Sequence, residues 1–184
     1  MLSLTDSEKQ ALLRLARGTL DGYFQRNAPD PLDSFQEKTQ TTSAAHPCFV
    51  SLYGPEDRLR GCIGCVSTTD PLYANVSRYA ELAAFSDHRF PAVKANEIPK
   101  LHIHISVLGP LLPLQALRDL VIGTHGLWVE HELTHGILLA EVAVKNGFDP
   151  DEFRTQTCLK AGLDPEHHAE YEWKYFHEIS FREE

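Results

Sequence analysis

The chain has 184 residues and a formal charge of −9, from 17 Lys and Arg against 26 Asp and Glu. That acidic balance speaks against a broad phosphate-binding face, so a nucleic-acid partner is not expected. A composition of 42% hydrophobic and 23% charged residues is that of a soluble globular protein. Four cysteines in a chain able to bury about 70% of its unfolded surface do not form a secreted disulfide framework. One domain spanning 1–184 is expected. The first residues lack a basic stretch followed by an apolar one, so no signal peptide is expected, and no run approaches the length of a membrane-spanning helix. The expected compartment is the reducing cytoplasm, with no membrane association.

In chain order, Thr5-Asp6-Ser7-Glu8 has the form of a capping box. Leu12, Leu15, Ala16, Leu20 and Phe24 then recur at helical spacing, predicting a helix over 6–24. Residues 25–47 are polar, broken by Ala28-Pro29 and Asp30-Pro31, and read as a long loop or arm. Two apolar β-prone runs follow, 48–53 and 59–67, joined by a five-residue hairpin joint at 54–58. Asp70-Pro71 opens a helix carried by Leu72, Val76, Tyr79, Ala80 and Ala83 to about Ser86, and a charged loop, Asp87-His88-Arg89-Phe90-Pro91, ends it. Leu101, Ile103, Ile105 and Val107 alternate with His102, His104 and Ser106, the pattern of a half-buried strand. Short strands are expected at 120–122, 126–130 and 136–139. Asp149-Pro150-Asp151-Glu152 repeats the capping logic for a helix ending at Gly162, and an aromatic-rich closing strand spans 171–181. Strands mixed with a few helices, without regular alternation, predict an α+β domain.

The stretch with the most chemistry is Leu59-Arg60-Gly61-Cys62-Ile63-Gly64. Glycine inside a strand marks a bulge or a close approach, and Arg60 near the sulfur would favour the nucleophilic thiolate of Cys62. The alternative is a buried strand with a structural cysteine. His131-Glu132-Leu133-Thr134-His135 matches H-E-x-x-H, but its flanks are strand-like and Gly136 follows at once, so a helical zinc motif is not expected. His102 and His104 share one strand face yet supply only two ligands. His125, between Gly123 and Gly126, is a candidate acid/base. Cys62 and Cys65 form a C-x-x-C, but residues three apart in a regular strand point to opposite faces. No metal or cofactor is expected.

The hexapeptide resembles the signature of the AMMECR-one domain family, and further segments are similar to that family in the same order. They are Cys48-Phe49-Val50-Ser51-Leu52, Asp87-His88-Arg89-Phe90-Pro91, Ile105-Ser106-Val107-Leu108, Gly123-Thr124-His125-Gly126-Leu127 and Lys160-Ala161-Gly162-Leu163. The chain departs from the family at Leu138-Leu139-Ala140-Glu141-Val142, where the usual L-L-P-Q-V has a proline, and Cys65 is outside the signature. The resemblance implies an α+β fold with a mixed or antiparallel sheet flanked by helices, a larger and a smaller lobe, and the hexapeptide near a cleft. Relatives accompany a Memo-like protein and a radical-SAM enzyme, the AmmeMemoRadiSam system, so those two are the pathway partners the resemblance implies.

Together these features point to an enzyme or enzyme accessory handling a small anionic or nucleotide-like molecule. Cys62 would be the nucleophile or thiol ligand, His125 an acid/base, and Asp87 an orienter. Arg60 or Arg89 would hold an anionic group, with Gly61 and Gly64 giving it room. The rival is a binding or scaffold module in which the hexapeptide is a packed strand. A third reading is a metal-binding protein using the histidine-rich stretches.

Overall fold

The computed structural model describes residues 2–25 and 27–183, and Met1, Arg26 and Glu184 lie outside the described residues. Of the expected loop at 25–47, Arg26 lies outside the described residues. The architecture is α+β, with antiparallel strands and helices in two compact units. The larger holds residues up to Val107 together with Ser180 onward, and the smaller holds Leu108–Ile179.

In the larger unit, helix α1 (Asp6–Gly22) starts at the capping box read from the sequence. The Glu8 N–H donates to Thr5 Oγ1 at 3.3 Å, and the Thr5 N–H donates to Glu8 Oε2 at 2.7 Å. Its buried stripe includes Leu12, Leu15, Ala16 and Leu20. The segment after it carries two one-turn helices, α2 (Pro31–Ser34) and α3 (Gln40–Ser43). Thr39 Oγ1, at the start of α3, donates to Glu8 Oε1 at 2.5 Å, which ties that segment back to α1.

Strands β1 (Cys48–Tyr53) and β2 (Leu59–Gly64) form the expected hairpin, and β2 ends three residues short of the expected 67. Helix α4 (Leu72–Phe85) follows, and β3 (His102–Leu108) pairs with the other side of β1. The order β2-β1-β3 leaves β2 at an edge. One face of this sheet is apolar and dry: Cys48, Val50, Leu52, Ile103, Ile105 and Val107 are all fully buried. Alternation puts Phe49, Ser51 and Tyr53 on the other face, opposite Ser106, His104 and His102 of β3. Arg17 braces the unit by donating to the carbonyls of Ile98 and Leu101 and to both carboxylate oxygens of Glu183.

In the smaller unit, β4 (Leu112–Pro113), β5 (His125–His131), β6 (Thr134–Leu138) and the part of β7 (Glu172–Arg182) up to Ile179 make an antiparallel arrangement in which β7 pairs with β4 and β5, and β5 with β6. Between β6 and β7 lie α5 (Ala140–Asn146) and α6 (Pro150–Ala161), each closed by a left-handed glycine, Gly147 and Gly162. The capping box at the start of α6 joins Asp149 and Glu152 as read from the sequence. Leu120, Leu127, Leu138, Ala143 and Phe153 form the core of this unit.

The expected strand at 120–122 does not form. Leu117–Asp119 makes a 3-10 turn, and the Val121 carbonyl accepts from the N–H groups of Thr124 and His125, so the chain turns at left-handed Gly123 before β5. Helix α5 begins at Ala140, within the segment where the chain departs from the family's usual proline. The H-E-x-x-H residues form a β-hairpin: His131 pairs with Thr134, while Glu132 and Leu133 make the turn. A hairpin cannot place the two imidazoles one helical turn apart. His135 stacks on Trp128 and His131 packs against Tyr171. Among the described residues, no three His, Cys, Asp or Glu side chains gather as a metal-holding group.

Candidate functional site

The site builds from the hairpin register. The backbone N–H of Cys65 donates to the Cys48 carbonyl at 3.0 Å, which makes 48 and 65 a hydrogen-bonded pair of the ladder. Hydrogen-bonded pairs alternate with open ones, so Ser51 and Cys62, which face each other, are an open pair. The N–H and C=O of Cys62 therefore point away from β1, to the free edge of β2. An unsatisfied edge invites pairing with foreign strands. Two side chains from the loop after α4 occupy it instead. Asp87 Oδ2 accepts from the Cys62 N–H at 2.8 Å, and Arg89 Nη2 donates to the Cys62 carbonyl at 3.0 Å.

Asp87 and Arg89 also hold each other. Arg89 donates from Nε to Asp87 Oδ1 at 2.9 Å and from Nη2 to Oδ2 at 2.7 Å, and its backbone N–H reaches Oδ1 at 3.2 Å. The Asp87 side chain is 2% exposed and that of Arg89 49%. The Arg89 hydrogen bonds hold the Asp87 carboxyl far below the usual carboxylate range, with the Cys62 N–H contributing. The Arg89 pKa is raised in turn, first by Asp87 and also by hydrogen bonding and charge at the Cys62 side chain.

The Cys62 side chain is partly exposed, and Ser51 Oγ donates to its sulfur at 3.2 Å. Ser51 is itself buried and is flanked on its far side by His104 of β3. A sulfur that accepts from a hydroxyl, with a half-exposed guanidinium alongside, is arranged to carry negative charge.

The other residues singled out from the sequence have different surroundings. Arg60 donates from Nε and Nη2 to Glu97, at 3.0 and 3.3 Å, and from Nη1 to the Pro91 carbonyl at 2.8 Å. It is a brace between β2 and the segment before β3. A Cβ on Gly61 would lie 2.0 Å from the Ala83 carbonyl oxygen of α4. On Gly64 it would lie 2.3 Å from the Cys48 carbonyl oxygen and 2.5 Å from the Phe49 ring. Both glycines allow close packing within the unit. His125 lies in the smaller unit, packed against Tyr175 and His177, and its Nδ1 accepts from the Val121 N–H at 3.1 Å. Burial, then the charge of His177, lowers its pKa.

The sequence reading brings Cys62, Asp87 and Arg89 together and misses Ser51 and Glu97. Glu97 carries no local signal. Ser51 is hidden by a bulge: the register shifts by one between Leu52 and Tyr53, so counting inward from the Tyr53–Leu59 pair puts Ser51 opposite Gly61.

A family model described as AMMECR1 matches residues 13–181. A protein of Thermococcus gammatolerans is 35% identical over 177 residues, covering 90% of this chain and 84% of that protein. Protein MK0488 of Methanopyrus kandleri is 35% identical over 173 residues, covering 89% and 81%. The crystal structure of the uncharacterised protein PH0010 from Pyrococcus horikoshii superposes with a TM-score of 0.85 at 30% identity, over 98% of this chain and 94% of that one.

Proposed function

The chain belongs to the AMMECR1 family, and from the geometry around Cys62 we propose that it carries a thiol-centred site for a small anionic molecule. Cys62 is the reactive or ligating thiol. Arg89 favours its thiolate and offers its exposed edge to a carboxylate or phosphate oxygen. Asp87 is a positioning residue, and Ser51 orients the sulfur. The observation that carries this reading is the Arg89 guanidinium, locked by a buried carboxylate beside Cys62 yet 49% exposed. Arg60, Gly61, Gly64 and His125 have no part in it.

The test is the rate at which iodoacetamide modifies each cysteine of the folded protein at pH 7, followed by peptide mapping. Cys62 should react faster than Cys48 and Cys158, both of which are buried. Arg89→Gln should slow Cys62 by up to about tenfold, the effect of raising a thiol pKa by about one unit. Inorganic phosphate should protect Cys62 in the wild type and not in the variant. A Cys62 rate unchanged by Arg89→Gln, with no protection by phosphate, overturns the proposal.

A second reading has its own support. The two glycines pack against backbone atoms, Arg60 is tied to Glu97, and Asp87 with Arg89 seals a strand edge. On that reading the hexapeptide is a structural strand of a binding module, and a Cys62→Ser protein folds and keeps every property of the wild type.

A further inference from the structure

The same register that separates Cys62 from Cys65 gives Cys65 another partner. Cys48 and Cys65 continue the β1–β2 ladder one step past Phe49 and Gly64, and the Cys65 N–H bonds to the Cys48 carbonyl at 3.0 Å. Directly opposed residues of an antiparallel ladder project to one face, and a hydrogen-bonded pair has its Cα atoms about 5.5 Å apart, within the range a disulfide spans. Cys62 projects to the opposite face, toward Ser51. The four cysteines are free thiols, and the two of this pair differ in access: Cys48 is buried and Cys65 partly exposed.

A third group completes the cluster. The Tyr79 side chain lies on α4, and its pKa is pushed up to about 12 by burial first and then by Cys65. Tyr79 thus remains a proton donor beside that sulfur. Burial, reinforced by Cys65, pushes the Cys48 thiol well above its usual value, so Cys48 stays protonated while solvent reaches Cys65 first.

We propose that Cys48 and Cys65 form a reversible oxidation site that closes to a cross-strand disulfide when the protein meets a peroxide. The Cys65 sulfur attacks a peroxide oxygen and the O–O bond breaks. The departing hydroxide leaves as water with the thiol proton, and Cys65 becomes a sulfenic acid. The Cys48 sulfur then attacks the Cys65 sulfur, the S–O bond breaks, and hydroxide leaves with the Cys48 proton as a second water. Two thiols lose two electrons in all, and hydrogen peroxide is reduced to two waters. A dithiol reductant reverses the change by two thiol–disulfide exchanges. The closed loop contains the whole hairpin, Cys62 included, and pins β2 at its last turn of ladder.

This site is independent of any chemistry at Cys62, and so is its test. The full chain is reduced, freed of reductant, treated with hydrogen peroxide, blocked with N-ethylmaleimide under denaturing conditions and mapped by mass spectrometry. The expected product is one linked peptide pair containing Cys48 and Cys65, lighter by two hydrogens and lost on treatment with dithiothreitol. Cys62→Ser should still form it, and Cys65→Ser should not. A Cys62–Cys65 link, or Cys65 converted to sulfinic acid with Cys48 still open to the maleimide, overturns the proposal. The wild-type map decides the question on its own if Cys65→Ser folds poorly.

Discussion

Asp87→Asn tests how the candidate site is held together. The wild-type carboxylate takes hydrogen bonds from the Cys62 N–H and from three nitrogens of Arg89. Asparagine keeps the shape and one oxygen, but turns an NH2 toward groups that are themselves donors. Hydrogen bonds to charged groups contribute about 1.5–3 kcal/mol each, and breaking a fully buried ion pair costs about 3–5 kcal/mol. Arg89 is 49% exposed and can turn to water, which puts the expected loss lower, at about 2–3 kcal/mol at pH 7. Urea unfolding followed by circular dichroism measures it, with the slope unchanged and the midpoint lowered. The pH dependence has a defined sign. Because Asp87 has its folded pKa depressed, its contribution is complete above the ordinary carboxylate range and fades as the pH falls through the folded value. The gap between wild type and Asp87→Asn should therefore stay constant down to about pH 5 and narrow below it. A loss under about 0.5 kcal/mol at pH 7, or a gap that widens on acidification, refutes the reasoning.

Two further substitutions test the packing on which the site rests. Gly61→Ala sets a methyl against the Ala83 carbonyl oxygen, so β2 and α4 must part, and an overpacking loss of about 1–3 kcal/mol is expected in the same unfolding assay. Unchanged stability would show that the glycine is there for something other than close approach. Phe153→Ala removes a fully buried ring from the core of the smaller unit and should cost about 3–5 kcal/mol. Peptide-resolved hydrogen exchange should show that loss first in β5, β6 and α6, and uniform loss across the chain would refute a separate core.

How much of this was legible depended on whether the signal was local. The capping boxes at Thr5 and Asp149 were readable because each is completed within four residues. Alternation along 101–108 placed β3 almost to the residue. The turn at 120–124 went the other way, since the apolar Leu120-Val121-Ile122 looks like a strand while the outcome was set by Gly123, with φ at +81°. At the site, the residue types of Cys62, Asp87 and Arg89 were visible, but their roles were not. Whether Arg60 or Arg89 lies beside the sulfur depends on which arginine finds a carboxylate elsewhere, and Glu97 is 37 positions from Arg60. Ser51 was displaced by a single bulge, which no composition rule reports.

The split of Cys62 and Cys65 across β2 has an experimental consequence. The strand works as a partition: one sulfur meets a hydroxyl and a guanidinium, the other a phenol and a second thiol. A bulk titration of total thiol will average four sites, and with them the two different environments on either side of β2. Any redox or labelling study of this protein needs to resolve the individual cysteines, because two thiols only three residues apart will answer to different reagents.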